Sequence, residues 1–164
     1  MRIVSNSTPL IHLSRIGHLS LIEKCFGEIT IPKAVHRECV VEGEGRPGAV
    51  EIASAGWIHV RKVSPSPLLN LLNQELDAGE AEAICLGLET SGEKMLFMDE
   101  ASGRRKARAL GLTVIGSIGL LWRAAREGFI DSFPEALDQL ENAGFWISPA
   151  LKRRILSDWQ NPHP

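Results

Sequence analysis

Short apolar runs and helical patterns alternate along most of the chain. Residues 3–4, 28–31, 94–98 and 113–115 are such runs, and a segment with apolar positions at helical spacing follows each of them. Runs of this length between helices are typical of buried parallel strands joined by right-handed crossovers. Residues 57–63 alternate between apolar and polar positions, which indicates an edge strand. The pattern predicts an α/β fold with three layers, α/β/α, around a central, mainly parallel sheet.

Capping residues indicate where several helices begin. Ser7 or Thr8 is expected to cap the first helix, and residues 33–41 are expected to form another helix. Asp77, followed by Glu80 three residues later, has the pattern of a capping box. A long central helix should therefore start at this point.

The chain is predicted to form a single domain, residues 1–164. Residues 1–130 would contain the sheet, and residues 131–164 would form a helical tail of two helices, each starting near a proline. Residues 64–67, Ser-Pro-Ser-Pro, are a break in the pattern. No linker is long enough to indicate a second domain.

Composition narrows the function classes only a little. The chain has 164 residues, of which 44% are hydrophobic and 23% charged, and its formal net charge is −2, as is usual for a soluble globular protein. This total does not indicate a nucleic-acid binder, but the cations are clustered, and local patches matter more than the sum. Cys25, Cys39 and Cys85 lack a CxxC spacing and are expected to be reduced core thiols. Because the first residues run directly into a strand and no apolar stretch reaches roughly 18 residues, we expect a cytoplasmic protein with neither signal peptide nor membrane span.

Acidic and amide side chains stand at the predicted strand ends and on the helices that face them. They are Asn6 after the first strand, Glu38 after the second, Glu80 and Glu82 on the central helix, and Asp99 and Glu100 after the strand at 94–98. The carboxyl ends of parallel strands meet at one edge of a sheet, where open α/β folds place their chemistry. Mg²⁺ and Mn²⁺ prefer hard oxygen ligands and need only one or two direct carboxylates. These positions therefore indicate a divalent-metal site that activates water beside a phosphodiester.

Each of these acids also has a structural interpretation. The capping box alone explains Glu80, and a solvated helix face explains Glu38. Glu82 is two positions from Glu80 and points to another face, so we treat it, like Glu100, as a secondary acid. Asp99 would also serve as the cap of the basic helix that follows it.

Four basic residues lie shortly after Asp99, namely Arg104, Arg105, Lys106 and Arg108. Arg104 or Arg105 is a candidate phosphate clamp for RNA, because arginine donates paired hydrogen bonds to phosphate oxygens. Lys106 and Arg108 are better explained as an exposed helix face. Binding through such a clamp would weaken as salt rises.

The turn Gly116-Ser117-Ile118-Gly119 links a strand to a helix. A phosphate-binding turn is one interpretation, but GxxG without the full GxGxxG spacing is a weak signal. A tight turn with Ser117 as the helix cap is favoured, and Ser117 would then border the acidic edge. The five histidines are too dispersed to predict a zinc site, and the four tryptophans, Trp146 among them, are expected to be packing residues.

Several segments together resemble PIN-domain proteins. They are residues 3–11, residues 31–35 with Glu38, residues 77–84, Asp99-Glu100 with Gly103-Arg104-Arg105, and residues 111–121. The set is similar to a prokaryotic PIN-like branch, long catalogued as a domain of unknown function, that is related to VapC-type toxin ribonucleases. The resemblance extends over residues 1–130.

The resemblance implies a single-strand ribonuclease fold with Mg²⁺ or Mn²⁺ as cofactor. Carried over by position, the catalytic residues fall on Asn6, Glu38, Glu80 and Asp99, and the last three would bind the metal. The usual PIN pattern has aspartate where this chain has Asn6, and an amide oxygen brings no negative charge to a metal.

Two hypotheses follow from this departure. The first is an endoribonuclease with RNA as its substrate and, if it is a toxin, a separately encoded antitoxin as its partner. The second is a catalytically weakened RNA- or protein-binding module. The resemblance also implies a homodimer.

Overall fold

Five short strands form one sheet in residues 1–161, the part of the chain that the computed structural model describes. The strands are β1 (Arg2–Ser5), β2 (Ile29–Pro32), β3 (Ile58–Arg61), β4 (Lys94–Phe97) and β5 (Val114–Ile115). Their order across the sheet is β3-β2-β1-β4-β5, and every neighbouring pair is parallel. The predicted parallel sheet is confirmed, and β3 lies at an edge as its alternating pattern indicated.

Ten α-helices surround this sheet in the same residues. They are α1 (Ser7–Arg15), α2 (Ser20–Phe26), α3 (Lys33–His36), α4 (Ala49–Ser54), α5 (Pro67–Leu72), α6 (Ala78–Glu89), α7 (Ala101–Ala109), α8 (Ser117–Arg126), α9 (Phe133–Asn142) and α10 (Pro149–Gln160). None of them is long and apolar enough to cross a membrane. The two tail helices agree with the sequence pattern, and residues 162–164 of the predicted domain lie outside the described residues.

Two apolar clusters, one on each face of the sheet, produce the three layers. Alternate strand residues point to opposite faces, so Ile3 and Phe97 join the cluster formed with α1, α2, α8 and α9. Val4 and Leu96 join the cluster formed with α5, α6 and α7. The three-layer α/β/α architecture predicted from the sequence is therefore confirmed. All three cysteines are buried free thiols.

One predicted helix boundary was wrong, and one helix was not predicted. The helix expected over residues 33–41 ends at His36, and Arg37–Val41 continues as a π-helical turn, in which the Glu42 amide donates to the Arg37 carbonyl over 2.8 Å. Side-chain periodicity does not reveal this change, because it depends on the backbone hydrogen-bond pattern. The break at 64–67 extends only to Ser66, whose hydroxyl caps α5, a helix that the sequence pattern did not reveal.

Helix starts agree with the sequence at the central helix and differ at the first one. The capping box of α6 is present: the Glu80 amide donates to Asp77 Oδ1 over 2.8 Å, and the Asp77 amide donates to Glu80 Oε2 over 3.2 Å. At α1, the N-cap residue is Asn6, and the expected caps Ser7 and Thr8 lie inside the helix. The Asn6 and Thr8 side chains donate hydrogen bonds to Glu100 instead.

Candidate active site

The strand order reverses direction at β1, because the chain builds β2 and β3 on one side of it and then returns to add β4 and β5 on the other. In open α/β sheets, ligands bind in the crevice at this switch point, outside the carboxyl ends of the strands. Asn6 follows β1 and is fully buried. Its backbone N–H donates to the Phe97 carbonyl of β4 over 2.9 Å. Asp99 and Glu100 follow β4 directly. The topology thus brings two of the predicted acidic positions together with Asn6.

Asn6 and Glu100 are joined across this crevice. Asn6 Nδ2 donates a hydrogen bond to Glu100 Oε2 over 3.1 Å, and the Thr8 hydroxyl donates to Glu100 Oε1. Burial raises the pKa of Glu100, and the nearby Asp99 charge raises it further, whereas the Asn6 hydrogen bond lowers it. Glu100, predicted only as a secondary acid, is therefore in direct contact with Asn6.

Glu38, on the π-helical turn Arg37–Val41, lies near Asn6. A Cβ atom on Gly79 would lie 3.0 Å from Glu38 Oε2 and 3.1 Å from Asn6 Oδ1, so both oxygens face the bare Cα of this glycine. Gly79 is in the first turn of α6. Burial raises the pKa of Glu38, an effect that a hydrogen bond with Ser7 opposes. Because Gly79 has no side chain, α6 leaves room for these two oxygens at this point.

Glu80 is the most deeply buried acid of the group, with 5% of its surface exposed. Its Oε2 completes the capping box, but its Oε1 has no hydrogen-bond partner among residues 1–161. Oε1 points to α7, where a Cβ atom on Gly103 would lie 2.6 Å from it. Burial raises the pKa of Glu80 to about 7, and the charges of Asp77 and Glu100 add to the effect. The buried Glu80 carboxyl is therefore stable in its neutral form, and its ionised form would need a cation nearby.

Asp99 is bound by two side chains that come from different helices. Its Oδ1 accepts a hydrogen bond from the Ser117 amide over 2.7 Å, and its Oδ2 accepts one from the Ser117 hydroxyl over 2.6 Å. His12 Nδ1 lies 2.9 Å from the same Oδ2. Asp99 therefore satisfies the first amide of α8 and does not cap α7, whose N-cap residue is Glu100.

This geometry corrects one prediction about a helix cap and adds a contact that was not predicted. Ser117 was expected to cap α8, but the N-cap residue is Gly116, and Ser117 donates to Asp99 instead. Sequence reasoning also missed His12, which it grouped with the dispersed histidines. The available signal was the i,i+4 spacing of Thr8 and His12 on α1, which places both on the face that meets the acids.

The two candidate phosphate-binding arginines point in different directions. Arg104 Nη1 donates to the Met98 carbonyl over 2.9 Å, and a Cβ atom on Gly116 would lie 2.5 Å from it. Burial lowers the pKa of Arg104, while the Asp99 charge raises it. Arg105 is exposed and lines a surface groove on the outer side of α7 together with Lys106. Of the two, Arg104 is the one that the fold places against the acidic edge.

Glu82 has a separate structural contact. Its Oε2 accepts a hydrogen bond from the Ala34 amide over 3.0 Å, at the start of α3. The first amides of a helix lack partners within the helix, so a carboxylate here stabilises α3. The structure gives this contact to Glu82. Two of the other acids lie at Asn6, because Glu100 binds its side chain and Glu38 faces the same glycine. Glu80 and Asp99 are linked to this pair through Glu100, whose charge interacts with both.

Residues 2–161 match the family DUF3368, which is described as a PIN domain. The chain belongs to the PIN-domain family. Proteins with PIN domains generally have nuclease activity and typically use divalent metal ions. No curated protein matches the chain significantly.

A solved PIN-type structure has a similar fold. It is a PilT N-terminus domain protein from the hyperthermophilic archaeon Sulfolobus solfataricus P2, with a TM-score of 0.54 and 20% sequence identity to this chain. The similarity covers 73% of this chain and 90% of the archaeal one. At this level of identity the likeness supports the fold alone.

The acidic edge of this PIN domain fits a divalent cation in its chemistry. Within residues 1–161, no group of three or more His, Cys, Asp or Glu side chains is placed so that it could hold a metal ion. A complete protein cage is not required, because Mg²⁺ is usually bound by one or two carboxylates together with waters and substrate phosphates. The unpartnered Glu80 Oε1 and the raised pKa values of Glu38, Glu80 and Glu100 indicate an excess of acceptor oxygens that a cation would satisfy.

Proposed function

We propose that this PIN-domain protein is a metal-dependent endoribonuclease that cleaves single-stranded RNA. The observation that carries the proposal is the buried Asn6 at the switch point of the parallel sheet, with the carboxyl groups of Glu100 and Glu38 beside it. Raised pKa values and an unpartnered carboxyl oxygen distinguish this edge from an ordinary set of solvated acids. Membership of the PIN family supports nuclease chemistry in general.

Glu38, Glu80 and Asp99 are the metal ligands that we propose, with Mg²⁺ or Mn²⁺ as the ion. The bound ion would supply a water of lowered pKa and would stabilise the charge that develops on the phosphate. Arg104 is the group that we propose for the phosphate oxygens, since its guanidinium lies beside Asp99.

The remaining contacts of the site position these acids. Ser117 and His12 fix the Asp99 carboxylate from two helices, so that its orientation is set before any ligand binds. Thr8 and Asn6 do the same for Glu100. Such preorganisation matters because a small displacement of a catalytic group is costly for the rate.

Cleavage of a single-stranded oligoribonucleotide during a Mn²⁺ titration tests the proposal. We expect metal-dependent internal cleavage by the wild type, and its loss in Glu80→Gln, which keeps the capping box because glutamine also serves there. Asp99→Asn should lose activity as well, whereas the exposed Asp131→Asn should retain it. An absence of cleavage at millimolar Mn²⁺, or equal cleavage by wild type and Glu80→Gln, would overturn the enzyme proposal.

A catalytically weakened binding module is the second candidate, and Asn6 is the observation that favours it. Its amide donates to Glu100, where the usual PIN aspartate would add a second negative charge. This candidate predicts RNA binding without cleavage, and recovery of cleavage in Asn6→Asp. Pairing with an antitoxin and formation of a homodimer stay predictions from the family resemblance.

A further inference from the structure

A small cavity adjoins the acidic edge on the side of the C-terminal tail. It has a volume of about 190 Å³. Its walls are Thr8, His12, Asp99 and Glu100 on one side, and Gly144, Phe145 and Trp146 on the other. The site described above therefore continues into a space whose far wall is aromatic.

The residues on either side of Trp146, in the segment between α9 and α10, are anchored to the rest of the protein. Phe145 packs edge-on against the His12 ring, with 4.9 Å between ring centroids, and its amide donates to the Leu140 carbonyl over 3.1 Å. Ile147 on the other side of Trp146 is 5% exposed and belongs to the core. Because both neighbours are anchored inward, the Trp146 indole is directed away from the core and is 82% exposed.

Exposure of one large apolar side chain is common and does not by itself mark a site. Trp146 differs because the cavity that it borders also contains Asp99 and Glu100. The predicted role of Trp146 as a packing residue is wrong, because its side chain is exposed. Trp122 and Trp159, in contrast, pack edge-to-face with 5.0 Å between their ring centroids. An exposed indole beside a nuclease site has the chemistry to stack on a base.

We propose that Trp146 is a stacking surface for a nucleobase of the single-stranded RNA that lies in the acidic site. The inference rests on the ribonuclease function proposed above and adds a contact to its substrate. Stacking on an aromatic face is tolerant of sequence, because every base has a π-face. It also supplies affinity that does not depend on charge, next to carboxylates that repel the phosphate backbone.

Binding of a labelled oligoribonucleotide, measured by fluorescence anisotropy in EDTA so that cleavage does not interfere, tests this contact. We expect Trp146→Ala to weaken binding by roughly 5- to 150-fold, the range typical of a lost base stack, and Trp146→Phe to restore most of it. The same oligonucleotide without bases should bind wild type and Trp146→Ala equally. Phe129→Ala is the matched control, because Phe129 is 40% exposed and follows the far end of α8.

The outcomes separate this inference from the proposed function. Binding that depends on Trp146, without cleavage at any metal concentration, would contradict the ribonuclease proposal and support the stacking contact. Unchanged cleavage and binding in Trp146→Ala would contradict the stacking contact and support the ribonuclease proposal. A dimer that becomes monomeric in Trp146→Ala, with RNA affinity unchanged, would place Trp146 at an interface between copies and overturn the inference. An absence of RNA binding by the wild type in EDTA would overturn the stacking contact, whereas the metal-dependent ribonuclease is decided by the cleavage assay.

Discussion

Asn6 Nδ2 donates a hydrogen bond to Glu100 Oε2 over 3.1 Å, across the crevice where the strand order reverses. The amide is fully buried and the carboxyl is held from its other side by Thr8. A donor at this position stabilises the ionised form of Glu100, which an aspartate would disfavour. Asn6 thus lowers the electrostatic cost of the acidic edge and at the same time removes one charge that would attract a cation.

Asn6→Asp should lower the stability of the metal-free protein and strengthen its response to metal. The substitution replaces a buried hydrogen bond by two facing carboxylates, so we expect a loss of about 2–4 kcal/mol at pH 8. Added Mn²⁺ should raise the melting temperature of the variant more than that of the wild type, since a ligand stabilises the folded state according to its affinity. Thermal unfolding with and without Mn²⁺ measures both effects.

Asn142→Asp, at the exposed end of α9, is the control for the charge change alone. It should leave the Mn²⁺ response as in the wild type. A metal-induced shift in Asn6→Asp that is no larger than in the wild type would show that Asn6 does not face the ion.

Glu80→Gln should change the pH dependence of stability. The pKa of Glu80 is about 7 in the folded protein, against an ordinary value of 4.5, so the folded state keeps a proton that the unfolded state has released. The wild type therefore loses stability between these two pH values as pH rises. Glutamine keeps the neutral form at every pH, so the variant should become more stable than the wild type by about 2–3 kcal/mol above pH 7, with a much smaller difference below pH 4.5.

Urea unfolding at a series of pH values measures this difference. Glu89→Gln, an exposed substitution at the other end of α6, should show no comparable trend. Parallel pH curves for wild type and Glu80→Gln would contradict the assignment of the raised pKa to Glu80. Mn²⁺ should reduce the gap at high pH, because it would stabilise the ionised carboxylate.

Gly79→Ala should impair the response to metal without unfolding the protein. Its new methyl group would lie 3.0 Å from Glu38 Oε2 and 3.1 Å from Asn6 Oδ1, so at least one of these oxygens must move. The better helix propensity of alanine, about 1 kcal/mol in an exposed helix, would offset part of the crowding. We expect a change in stability within about 1 kcal/mol and a clear loss of the Mn²⁺-induced shift in melting temperature.

Gly87→Ala in the same helix is the matched control. Its methyl group would meet Leu112 Cδ1 at 3.2 Å, about 12 Å further along α6 and away from the acids. A Mn²⁺ response that falls equally in both variants would trace the effect to α6 as a whole and not to the space in front of Gly79.

The fold could be predicted from the sequence because its signals are local and repeated. Apolar runs of strand length, separated by helical patterns, leave few alternatives to a parallel three-layer arrangement. The acidic edge followed from topology, since residues after parallel strands must meet at one edge whatever their distance in sequence. Asn6 and Glu100 are 94 residues apart and in contact for this reason.

The individual contacts of the site could not be predicted in the same way. The contact of His12 with Asp99 depends on how α1 crosses the end of β4, and the outward direction of Trp146 depends on the anchoring of Phe145 and Ile147. Both are tertiary effects without a periodic signal. The change to a π-helical turn at Glu38 is likewise a property of the backbone and not of the side-chain pattern.

Arg104→Gln and Arg105→Gln should differ in their effect on RNA binding, although the residues are neighbours. One step along a helix turns the side chain by about 100°, so Arg104 lies beside Asp99 while Arg105 lies in the groove on the outer side of α7. Loss of one phosphate contact should lower the dependence of log affinity on log salt by about 0.7 for a single strand. We expect this change in Arg104→Gln, together with weaker binding at low salt, and at most a small change in Arg105→Gln. Anisotropy titrations of both variants at salt concentrations from roughly 50 to 200 mM measure this difference in slope. Equal slopes in the two variants would mean that α7 attracts RNA only through its overall charge, and that neither arginine binds a specific phosphate.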